Sequence, residues 1–71
     1  MTLKELLRNL KLKSLKIVLT LESFERGEEK DVYVGTIGTL IHWKGLPDYL
    51  DLIVDVIHTY TNCMIVFLTY E

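Results

Sequence analysis

The segment that most constrains this chain is LIVDVIHTYTNCMIVFLTY, residues 52–70. Two conformations compete for its first half. Asp48, Asp51, Asp55 and His58 recur at helical spacing and would line one face of a helix. Ile53, Val54, Val56, Ile57 and Thr59 are instead β-branched, which stiffens the side chain and favours an extended backbone. The β-branched residues decide the reading. It predicts two strands, 53–60 and 63–70, joined at Thr61-Asn62, where Asn tolerates the left-handed conformation of a tight turn. In that register Tyr60 faces Cys63, His58 faces Ile65 and Val56 faces Phe67 on one surface. Ile57 faces Val66 and Asp55 faces Leu68 on the other. Both surfaces are largely apolar, so both need cover.

Cover is scarce in a chain of 71 residues. One small domain spanning 1–71 is all it accommodates, and such a domain buries only about 60% of its unfolded surface. Cys63 is the single cysteine, so an internal disulfide is ruled out. Neither CxxC nor HxxxH spacing offers a structural metal. Yet 49% of the residues are hydrophobic, and the mean hydropathy is positive. Oligomerisation is the remaining means of covering the excess, and the sequence predicts a homo-oligomer.

Upstream, Thr2 and Glu5 have capping-box spacing, and Leu3, Leu6, Leu7 and Leu10 form one apolar stripe. A first helix over about residues 3–11 follows. The period then changes: Leu15, Ile17, Leu19 and Leu21 alternate with Lys16, Val18, Thr20 and Glu22. ERGEEK is a polar, Gly-containing connection, and DVYVGTIGTL resumes extended character, so a β-hairpin is predicted here. Around WKGLPDYLD the chain turns. Pro47 suits the first position of a short helix or 3₁₀ turn, and Leu46 before it is pushed from helical space. The fold expected is α+β, an N-terminal helix packed on a small, mainly antiparallel sheet of about four strands (α-β-β-turn-β-β).

Charge is unevenly placed. Residues 1–16 carry five basic residues against Glu5 alone, whereas residues 17–71 carry three against nine acids. The basic segment reads as a solvated helix face; direct nucleic-acid binding is disfavoured by the net charge of −2. MTLKELLRNL is interrupted by charges, unlike a signal peptide, and the longest charge-free run, 15 residues from Val56 to Tyr70, is short of a membrane span. A cytoplasmic protein without membrane contact is expected.

The stretch GTIGTLIHWKG, residues 35–45, is the richest in chemical possibilities. Its glycines match neither a P-loop nor GxGxxG, and a glycine in a strand marks a bulge or a close approach of backbone. If the protein has a small ligand, residues 42–45 are the place for it. Gly45 admits an anionic group, Lys44 adds positive charge, and Trp43 offers the largest π-face. His42, Tyr33 and Tyr49 complete the candidate set. No residue forms a recognisable catalytic or metal constellation, and Glu22, Glu25, Glu28 and Glu29 cluster at a hairpin tip without the burial that separates two pKa values. A non-enzymatic protein without a cofactor is expected.

In its order of elements, and in MTLKELLRNL, VYVGTIGTL and the closing hairpin, the chain resembles short accessory proteins of phages and prophages of Gram-positive bacteria. That resemblance implies counter-defence in the host cytosol. One form is an oligomeric sponge that sequesters a nucleotide-derived immune signal. The other forms are a stoichiometric inhibitor of a host defence enzyme and a purely structural, oligomer-forming accessory protein.

Overall fold

The computed structural model describes residues 1–23 and 27–70. Helix α1 spans Leu3–Asn9 and opens on the capping box. The Thr2 hydroxyl accepts from the Glu5 amide, and the Glu5 carboxylate accepts from the Thr2 amide. The Thr2 backbone bond, then its hydroxyl, hold the Glu5 carboxyl below its ordinary range. The helix ends earlier than the periodicity predicts, because Leu10 is already extended and half-buried against the core.

Strands β1 (Lys16–Ser23), β2 (Glu28–Thr36), β3 (Ile53–Thr59) and β4 (Cys63–Thr69) form one sheet in the order β2-β1-β4-β3. Two antiparallel hairpins are joined by a parallel seam between β1 and β4. The architecture is therefore α+β with a mixed sheet. Gly27, at φ 63°, supplies the left-handed residue just before β2, a conformation that costs glycine no steric strain.

Alternation divides the sheet into two faces. Ile17, Leu19, Val66 and Leu68 are fully buried on one, and Leu3, Leu6, Leu40, Leu46 and Leu52 close over them. The amides of Leu3 and Lys4 donate to the Leu52 and Leu50 carbonyls, stitching the start of α1 to the chain entering β3. Leu7 is only half-buried, at the margin of this core.

The second hairpin follows the predicted register at Val56–Phe67, Ile57–Val66 and His58–Ile65, and the Tyr60 amide donates to the Cys63 carbonyl at 2.7 Å. The pairing of Asp55 with Leu68 is overturned. A bulge at Asp55 sets Val54 opposite Leu68. It keeps Val54 against the core and spares the carboxylate an uncompensated burial.

The extended reading of the segment after Thr36 is also corrected. Strand β2 stops at Thr36, and Ile37–Leu40 form a helical turn, α2. Thr36 and Thr39 cap it reciprocally, and Ile37 and Leu40 turn inward. Leu46, expected outside helical space, is instead the first residue of the 3₁₀ turn Leu46–Asp48, with Pro47 second.

Leu19→Ala tests this arrangement. It should lower unfolding free energy by about 2–5 kcal/mol, a large part of the margin of so small a domain. Denaturant unfolding followed by circular dichroism measures it.

Candidate functional site

The residues singled out around Trp43 are brought together by α2 and the turns after it. Tyr33 projects from the core face of β2, opposite Leu19. Trp43 lies between Tyr33, at 5.0 Å between ring centroids and 40° tilt, and Tyr49, at 5.5 Å and nearly parallel. The Tyr33 hydroxyl hydrogen-bonds Thr39 Oγ1 on α2, which fixes the first ring. Each ring is half-buried and packed against the hydrophobic core.

Gly45 serves this column directly. A Cβ there would lie 2.6 Å from the Trp43 indole, so the absence of a side chain is what lets the ring lie flat against the turn. His42 and Lys44 point to solvent at the margin of the column. The six candidate residues thus form a neighbourhood, with the aromatic faces turned toward one another. Two surface hollows lie elsewhere.

One of them, about 400 Å³, is lined by Leu12, Ser14, Leu15, Lys16, Thr61 and Asn62 at one end of the sheet. The other, about 230 Å³, lies on the sheet face away from α1, between Glu22, Glu29, Asp55, Val56, His58 and Phe67. Sequence spacing gave no hint of the second hollow, because Glu22 and Asp55 belong to different hairpins. The bulge at Asp55 brings them together. Burial pushes the half-buried Glu22 carboxyl above its ordinary range, and the adjacent Asp55 carboxylate, a hydrogen bond with it and the Glu29 charge add to the shift. Glu25 lies outside the described residues.

The rest of that open face is apolar in the middle. Val18 pairs with Val34 across β1 and β2, and Ile65 and Phe67 continue the band on β4. Val34 is 69% exposed and Val56 40%. The His58 ring meets Phe67 edge-on at 5.5 Å. Thr20, only 3% exposed, donates its hydroxyl to Asp31 at 2.9 Å, so this buried polar residue of the face is satisfied. Cys63 is half-buried on this same face. Among the described residues no group of His, Cys, Asp and Glu side chains is gathered to hold a metal ion, and no helix is long and apolar enough to cross a membrane.

No family model, curated protein or solved structure matches the chain.

Two measurements probe these sites. Gly45→Ala should destabilise by about 1–3 kcal/mol through collision with the indole, whereas Lys44→Ala should stay within about 0.5 kcal/mol. Paired thermal and urea unfolding separate them. Glu22→Gln should raise the melting temperature of dilute protein at neutral pH. The folded wild type binds the Glu22 proton more tightly than the unfolded chain does. Its stability therefore falls as pH rises through the folded-state pKa of Glu22, and the advantage of the variant disappears below the ordinary carboxylate range. Melting curves of both proteins across that range test the sign.

Proposed function

We propose that this protein is a non-enzymatic binding module of the counter-defence kind it resembles, with the open face of its sheet as a protein-contact surface. One observation carries the reading. The apolar row Val18, Val34, Ile65 and Phe67, with Val56 beside it, lies uncovered on the face opposite α1. Exposed apolar surface rimmed by polar groups is the ordinary signature of a protein-interaction site. The edges of the sheet support the same choice of surface. Both edge strands carry a bulge, at Val32 in β2 and Asp55 in β3, and bulges disfavour strand addition.

A second reading is sequestration of a nucleotide-derived signal beside the aromatic column. The exposure of both His42 and Lys44 at its margin favours it. Under this reading, calorimetry with cyclic dinucleotides gives a binding isotherm that Lys44→Ala abolishes.

Photo-crosslinking tests the first reading. A benzophenone amino acid at Val34, on the open face, should give discrete protein adducts in the cells that make the protein. The same group at Lys4, on the exposed side of α1, should give none. Equal labelling from the two positions, or none from Val34, overturns the proposal.

A further inference from the structure

We propose that the occupant of the open face is a second copy of this chain, seated antiparallel across a two-fold axis. The Lys16 end of each sheet then covers the Glu22–Asp55 end of the other. This inference rests on the open face being a protein-binding surface, and it specifies the partner and its orientation.

The face is built with opposite charge at its two ends. Lys16 opens β1, is exposed and lies on the same face as Val18 and Thr20. Lys13 lies in the segment leading into it. At the far end Glu22 meets Asp55 and Glu29, and among the described residues every charged group acting on Glu22 is itself acidic. Between the two ends runs the apolar row. The charge that would relieve the acidic end is not supplied by a described neighbour within the chain.

The spacing fits a two-fold relation. Lys16 and Glu22 are each three residues from Leu19, about 10 Å along the strand at roughly 3.3 Å per residue. A two-fold axis perpendicular to the strands and crossing at that level therefore carries each Lys16 over the partner's Glu22. It also sets Val18 over the partner's Thr20 and Ile65 over the partner's Phe67 near the centre. Sheets stack about 10 Å apart and within about 30° of parallel, within reach of interdigitating Lys and Glu side chains. The alternative two-fold, along the strands, sets the acidic end of one sheet against the acidic end of the other and leaves each Lys16 at the far end. Charge selects the first.

The size of the face sets the strength of the pair. Four strands at about 4.8 Å spacing and about 23 Å length present roughly 450 Å² before side-chain relief. That lies below the roughly 800 Å² per partner of a standard stable interface. A reversible, concentration-dependent dimer follows, weakened by salt as the exposed charges at its ends are screened.

Sedimentation equilibrium of the full chain across a broad concentration range tests the proposal. The wild type should pass from 8.3 kDa towards about twice that mass on concentration. Lys16→Glu and Glu22→Lys, each confirmed folded by circular dichroism, should each weaken dimerisation by about tenfold or more. The double variant K16E/E22K should restore it, because the antiparallel seating re-pairs the reversed charges. Val34→Glu, at a strongly exposed position, should leave the monomer folded and raise the dimer dissociation constant. A wild type that stays monomeric at every concentration overturns self-pairing, as does a dimer indifferent to these substitutions. A double variant no better than the singles overturns the antiparallel seating. Val34 crosslinks solely to a different protein overturn self-pairing while leaving the protein-binding reading intact; absence of Val34 adducts removes that reading itself.

Discussion

The parallel seam between β1 and β4 holds the two halves of the molecule together. Each half is a hairpin, and an isolated two-stranded hairpin is marginal in water. Along the seam Ile17 pairs with Met64 and Leu19 with Val66, with Leu21 opposite Leu68. These rows are the floor on which α1, α2 and the 3₁₀ turn rest, and Leu3, Leu40 and Leu46 fill the space above it. Because β1 and β4 are far apart in the chain, the contacts that stabilise the seam form only after a long loop closes.

With both central strands committed to the seam, β2 and β3 become the edges. Each carries a bulge, and the start of β3 is further occupied by Thr2, which forms a bridge with Ile53. The bulge in β3 has two consequences. It preserves the apolar contact of Val54 with the core, and it brings Asp55 to the half-buried Glu22. An accommodation made for packing thus concentrates negative charge at one end of the open face. The apolar row and the charged ends together give that face its proposed orientation toward a second copy.

The aromatic column shows the same economy of a small core. Trp43 fills space between Tyr33 and Tyr49 that a domain of this size would otherwise leave open. Gly45 is required there by the indole, whose ring lies 2.6 Å from where a Cβ would stand. The same Gly-aromatic-Lys pattern is what made residues 42–45 a candidate ligand site in the sequence. Ring packing and ligand stacking demand the same residue types, and composition alone does not separate them.

Local chemistry determined much of the fold directly. The Thr2–Glu5 box marks the start of α1, the alternation from Leu15 to Glu22 marks β1, and the short Thr61-Asn62 connection sets the second hairpin's register. In each, neighbouring residues satisfy one another's backbone groups or fix one another's side-chain direction, so the sequence by itself carries the information. The helical turn at Ile37–Leu40 was less legible, because a Thr-Thr cap after β-branched residues resembles a continuing strand. Only the tertiary structure decided the parallel seam, the bulge at Asp55, the approach of Glu22 to Asp55 and the inward turn of Trp43. Each depends on which distant surface the residue meets. Apolar attraction is non-directional, so an apolar pattern says that a face must be covered without saying what covers it.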